Sequence, residues 1–425
     1  MSAANELSGA EAAARLRAGS LTAEAVTRAC LDRIEARASV KAWTHLDPDY
    51  ALAQARAADR AGRPGFLAGL PIGVKDVIDT ADMPTQHGSP IYAGNRPFAD
   101  AACVALVRAA GGTILGKTVT TEFANRFPGA TVNPHNPAHT PGGSSSGSAA
   151  GVADFQVPIG FGTQTGGSTI RPAAFCGAVG YKPSFGEFSR SGVKMQCHNL
   201  DTLGIICRSL DDVALMRAVL IDMPLHPVNR SAGAPRIGLC RTPGWDAADA
   251  ATQALIERTA ASLAKAGATV TEAEFAPPFR TIMDHHRRIF NYEASRNYAY
   301  EYDRHFDQVS AVLRDTVLTP GRQLPTADYI EALEVSEGFR RHFDDIFAGV
   351  DLLLTPSAAG EAPVGFTSTG DPRFNSPWTL SWLPCVTLPA GTGPTGLPLG
   401  VQLVGRRFGD EALLDGAAWV ERHLN

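Results

Sequence analysis

A unit of amphipathic helix, glycine stop and short apolar strand occurs twice in this chain, and it narrows the choice of fold more than any other feature. Val104 to Ala110 has helical spacing, Gly111-Gly112 ends it, and Thr113-Ile114-Leu115 reads as a strand. Further on, Leu255, Ile256, Ala260 and Leu263 line one helical face, Gly267 ends it, and Ala268 to Thr271 reads as strand. Helices alternating with short apolar strands predict an α/β architecture, a mixed, mostly parallel sheet wrapped by helices. Two more helices come first. A capping box at Ser8-Gly9-Ala10-Glu11 starts one that ends near Gly19. Thr22 caps the second, whose apolar stripe is Val26, Cys30, Leu31 and Ile34.

With 425 residues, length alone suggests roughly three domains. No low-complexity linker divides them, and Pro224 to Pro235 is the best candidate break. From Arg280 to Phe347 the composition shifts towards Arg, His, Phe and Tyr at helical spacing, which reads as a helical layer over the core. Pro384 to Gly405 returns to apolar runs punctuated by Gly and Pro, predicting strands and tight turns.

The formal net charge is −5 with both signs interspersed, which argues against a nucleic-acid partner, since phosphate binding needs a concentrated basic face. Nowhere do about 18 apolar residues run together, so no membrane span is predicted. Met1 to Gly19 lacks the apolar stretch of a secretory signal. Seven scattered cysteines without a CxxC read as reduced, buried thiols, and the expected location is cytoplasmic.

Three patterns compete for attention and are weak in context. Gly111 to Thr118, GGTILGKT, matches the phosphate-binding loop of nucleotide-binding proteins. That loop needs a strand before it and a helix opening at Lys-Thr, and here the order is reversed, so Lys117 reads as an ordinary strand-end residue. Gly143-Ser144-Ser145-Ser146-Gly147 fits G-x-S-x-G, but the proline-rich Asn133 to Pro141 before it cannot supply the required strand. Of 11 histidines only His285-His286 are adjacent. Without further ligands they read as a solvated helix face beside Arg287-Arg288, and no metal is implied.

Glycine density singles out one region. Residues 142–192 hold 12 of the 42 glycines, grouped as Pro141-Gly-Gly-Ser144-Ser145-Ser146-Gly-Ser148 and Gly162-Thr-Gln-Thr165-Gly166-Gly167-Ser168. Glycine gives backbone freedom and close approach, which scaffold elements rarely need in such concentration. Upstream, Leu70-Pro71-Ile72-Gly73-Val74-Lys75-Asp76 is an apolar strand ending in lysine. Downstream come Pro172 to Gly177, Gly180-Tyr-Lys-Pro183 and Gly396-Leu-Pro-Leu-Gly-Val-Gln402.

This ordered set resembles the amidase signature family of serine hydrolases, and the likeness runs from about Leu21 to the end. The resemblance implies one amidase domain over 1–425, with N-terminal helices near 8–37, a catalytic core near 65–220, a helical cover near 280–347 and C-terminal strands near 350–425. It implies a Ser–cis-Ser–Lys triad of Ser168 as nucleophile, Ser144 as bridge and Lys75 as base. The cis peptide is expected at Gly143–Ser144, and the amides of Thr165, Gly166, Gly167 and Ser168 are expected to form the oxyanion hole. An ordinary lysine, with a pKa of about 10.4, is protonated and useless as a base. Burial at the end of an apolar strand disfavours the charged form, so Lys75 could take a proton from Ser168 through Ser144.

Two departures from the commoner pattern stand out. Many members have Asp where this chain has Gln164. Many also place arginine two residues after the nucleophile, whereas Ser168-Thr169-Ile170-Arg171-Pro172 places it third. That shift is similar to the malonamidases of the family, whose corresponding arginine grips a substrate carboxylate. Asp79 to Pro84, Asn133 to Asn136 and Ser368 to Arg373 are similar to them too. The expectation is a cofactor-free amidohydrolase acting on a small linear amide such as malonamate, with Arg171 binding substrate and a homodimer as the assembly suggested by analogy. The alternatives are an amidotransferase A-type subunit working with partner subunits on aminoacyl-tRNA and, more distantly, a P-loop nucleotide-binding protein.

Overall fold

The computed structural model describes residues 3–273 and 277–424. In chain order its strands are β1 (Trp43–Leu46), β2 (Pro71–Lys75), β3 (Thr113–Thr118), β4 (Ile159–Gln164), β5 (Val179–Lys182) and β6 (Thr202–Cys207). Then follow β7 (Arg236–Leu239), β8 (Thr269–Glu272), β9 (Leu352–Pro356), β10 (Cys385–Thr392) and β11 (Pro398–Val404). They form one eleven-stranded sheet in the order β1-β3-β2-β4-β6-β5-β10-β11-β9-β7-β8. The principal helices are α1 (Gly9–Arg17), α2 (Ala23–Ala36), α3 (Pro48–Arg60), α4 (Ala102–Ala109), α5 (Ser146–Ala153), α6 (Ile170–Cys176), α7 (Leu210–Leu220), α8 (Ala250–Lys265) and α9 (Ile282–Asn297).

Local sequence accounts for these boundaries. Ser8 and Thr22 cap α1 and α2 by accepting from the amides of Glu11 and Ala25, both at 3.1 Å. The two sequence units become α4–β3 and α8–β8. As crossovers they let β2 run parallel to β3, and β7 parallel to β8. The expectation of a mostly parallel sheet needs correction. Among the described pairings four are parallel and six antiparallel. Parallel pairs occupy the two flanks, while the centre is antiparallel. The β10–β11 link is a tight turn, with Gly393 N donating to Leu397 O, and so short a link permits only antiparallel strands.

β6 and β7, on either side of Pro224 to Pro235, belong to the same sheet, so that segment divides no sheet. The main apolar cluster joins helices and strands from both halves, including Leu16, Val26, Ile72, Ile159, Leu263 and Val401. A second cluster lies under the helical layer, where Phe279, Ile289, Phe339 and Phe343 meet Trp378. All seven cysteines are free and buried. No described helix is long and apolar enough to cross a membrane.

Candidate active site

Strands β2 and β4 run parallel, so their carboxyl ends open on the same edge of the sheet, where α/β folds place ligands. Lys75 is the last residue of β2, and Thr165 to Ser168 follow β4 directly. The loop before α5 brings in Ser144, preceded by a cis Gly143–Ser144 peptide bond at the expected position.

Lys75 is fully buried. Its Nζ lies 2.7 Å from Ser144 Oγ, 2.7 Å from Thr163 Oγ1 and 3.0 Å from Ser145 Oγ. Burial holds its pKa well below the ordinary lysine value, with the Asp201 charge opposing that shift only in part. A neutral amine has two hydrogens to donate and one lone pair, a set that three hydroxyls satisfy without a carboxylate.

Ser168 is half-buried and lines a cavity of about 560 Å³ together with Thr165, Gly166 and Gly167. Its carbonyl accepts from Ser145 N at 3.3 Å, tying it to the serine loop. At Gly167 a Cβ would stand 2.3 Å from Asn375 Oδ1 and 2.6 Å from Arg171 Nη1, so any larger residue would displace these two side chains.

Gln164 answers the question raised by its departure from Asp. Its Oε1 accepts the amides of Thr169 and Ile170 at 3.0 and 3.1 Å, capping α6, and its Nε2 donates to Thr379 Oγ1. An uncharged amide thus caps the helix behind Ser168 while also donating.

Arg171 is buried, which lowers its pKa to about 10. Its Nε donates to Thr369 O and its Nη2 to Gly143 O, both at 2.7 Å. Among the described residues Nη1 has no hydrogen-bond partner, and neither has Ser376 Oγ; both residues line the cavity. The other charges there largely cancel. Arg287 pairs with Asp284 at 2.9 Å, and Asp371 with Arg373 at 2.6 Å. Arg126 is exposed, lines the same cavity and has no ion-pair partner among the described residues. The uncompensated charge is therefore positive.

Several residues at this site carried no sequence signal. Thr163 and Ser145 complete the shell around Lys75. Asp201 accepts from Thr165 Oγ1 at 2.6 Å and from the amides of Gln196 and Cys197. His286 overturns the solvated-face expectation. Both His285 and His286 are buried, because α9 packs against helix Thr326–Gly349 on one side and against Ser376–Leu380 on the other. Of the two arginines that follow them, only Arg287 is exposed. His286 Nε2 donates to Thr165 O at 2.8 Å. Among the described residues no cluster of metal-ligating side chains occurs.

The P-loop alternative fails on geometry. GGTILGKT runs through the turn into β3, and Lys117 is buried rather than poised for phosphate. Its Nζ donates to Ile78 O at 2.6 Å and bonds Thr80 and Thr85, with Asp76 at 3.7 Å.

Known proteins share this fold. The Amidase family model matches residues 25–414. The A-type subunit of glutamyl-tRNA(Gln) amidotransferase from Chloroflexus aggregans is 35% identical, over 94% of this chain and 92% of that one. A crystal structure of an amidase superposes with a TM-score of 0.89 at 28% identity, covering 99% of this chain and 100% of the other. The native peptide amidase of Stenotrophomonas maltophilia superposes with a TM-score of 0.82 at 29% identity, covering 99% and 97%. With a family match over most of its length and the same architecture throughout, the chain belongs to the amidase family.

Proposed function

We propose that this amidase hydrolyses a small linear carboxamide, with Ser168 as nucleophile, Ser144 as proton bridge and Lys75 as base. The observation that carries the reading is the buried shell of three hydroxyls around Lys75, which lowers the cost of the uncharged amine and holds it beside Ser144. Ser168 Oγ bonds to the amide carbon while its proton passes through Ser144 to Lys75. The carbonyl oxygen becomes an anion, held by amides of the Thr165–Ser168 turn. The C–N bond then breaks, the nitrogen leaves with the proton from Lys75, and an acyl ester remains on Ser168. Water attacks that ester by the same route and releases the acid.

The acyl group we assign is one bearing a carboxylate, as in malonamate. Supporting this are the positive balance of the cavity and the two unpartnered donors, Arg171 Nη1 and Ser376 Oγ, beside Gly166 and Gly167. Arg171 also holds the Gly143 carbonyl, so its replacement disturbs the serine loop as well. Arg126 is free of that duty. Trapping the acyl-enzyme from a panel of amides and locating the adduct by mass spectrometry tests the mechanism, and a label away from Ser168 overturns it. Faster turnover of malonamate than of neutral amides, lost on Arg126→Ala or Arg171→Ala, is expected. Rates that are equal in the wild type and both variants overturn the carboxylate assignment.

A second reading is favoured by the amidotransferase relative: a role as one component of an assembly, acting with partner chains. Sustained hydrolysis of simple amides by the isolated chain argues against it.

A further inference from the structure

The turn proposed to bind the oxyanion contains two glycines, which have no side chains to anchor it. Its peptide groups are instead held from behind, through their carbonyls. Thr165 O accepts from His286 Nε2 at 2.8 Å, and Gly166 O accepts from Thr379 Oγ1 at 2.9 Å. A peptide group is planar, and in its trans form the C=O and N–H point in opposite directions. Fixing Thr165 O therefore fixes the Gly166 N–H, and fixing Gly166 O fixes the Gly167 N–H. The Thr165 side chain is tied separately to Asp201.

We propose that His286 is a positioning residue for hydrolysis, aiming the Gly166 amide at the developing oxyanion through its hydrogen bond to the Thr165 carbonyl. The inference rests on the Ser168 reading above. The imidazole is well placed for this. It is buried, stacks on Phe290 at 6.3 Å between centroids with planes 13° apart, and sits on the long helix α9. Because a carbonyl only accepts, Nε2 must carry the hydrogen. The neighbouring Arg287 is exposed at the rim of the cavity and pairs with Asp284, so the cation beside His286 carries its own counter-ion. The helical layer thereby supplies a part of the catalytic apparatus as well as a wall of the cavity.

The test compares His286→Phe, which keeps a flat ring but has no donor, with His286→Gln, which restores an N–H. Removing a direct oxyanion donor costs about 10²–10³ in kcat, and a misaimed donor is expected to cost about tenfold to a hundredfold. His286→Phe should lower kcat by that factor with KM within about twofold, and His286→Gln should recover most of it. Unchanged kcat in His286→Phe overturns the proposal, as does a loss that falls equally on KM or that glutamine fails to rescue. If His286→Phe does not fold, His286→Ser, whose short side chain does not reach Thr165 O, takes its place, and an unchanged kcat there overturns the proposal. Ser168→Ala is run alongside. Activity surviving in it defeats the Ser168 reading itself, whereas its loss with normal His286→Phe turnover defeats only the positioning role.

Discussion

Lys75 Nζ and Ser144 Oγ stand 2.7 Å apart, and both side chains are sealed from solvent. Under the proposed mechanism the lysine works only when uncharged. Because burial holds its pKa well below 10.4, kcat/KM should rise with pH through that lowered value and be level well before pH 10. Lys75→Ala should cost about 10²–10⁴ in kcat and abolish that limb, which a pH–rate profile reads directly. A profile that keeps climbing to pH 10 would sink the neutral-lysine mechanism.

Replacing Gln164 should disturb stability and rate together. Gln164→Ala uncaps α6 and leaves two buried amides unmatched, costing about 1–3 kcal/mol in urea unfolding. Gln164→Glu keeps an accepting oxygen and should lose less. Equal stability of Gln164→Ala and wild type contradicts the capping role.

The buried Lys117–Asp76 pair is scaffold. Lys117→Met strands the Asp76 carboxyl in the interior and should cost about 3–5 kcal/mol, with Asp76→Asn in the same chain recovering part of it. A double-mutant cycle measures the coupling. Millimolar ATP should leave the wild-type Tm unchanged.

Acid should weaken the fold through buried histidines. Burial lowers His286 from 6.5 to about 4 and His87 to about 3. As pH falls the unfolded chain takes up these protons first, so stability present above pH 6.5 is lost on the way down to about pH 4. His286 alone accounts for about 3 kcal/mol of that loss. Urea unfolding at pH 7 and pH 4 checks this, and His286→Gln should flatten the difference by its share. A pH-independent wild type would refute it.

Much of this was legible in the sequence because it depends on local rules. Caps at Ser8 and Thr22, the α4–β3 unit and the lysine ending β2 are short-range patterns. What sequence could not reveal is set by distant packing. His286 looked solvated beside two arginines, because a helix pattern does not show that both its flanks are covered. Asp201 reaches Thr165 only because β6 pairs antiparallel with β4, placing Thr202 opposite Gln164. The parallel share of the sheet was overestimated for a related reason: two helix–strand units describe the flanks and say nothing of the hairpin-linked centre.

The sheet also divides labour along the chain. Lys75, Ser144 and Ser168 all come from the segment spanning β2 to β4 and the turn after it, whereas Met283, Phe290 and Thr367 to Ser376 furnish the far side of the cavity. Substrate preference is therefore open to change at residues more than a hundred positions downstream of the proposed reacting groups, as well as at Arg126 and Arg171. Two of those positions, His286 and Thr379, reach back to hold the Thr165–Gly167 turn through its carbonyls. A library that randomises the cavity-lining positions of the distal wall while fixing these two should explore new acyl groups with the proposed proton relay intact.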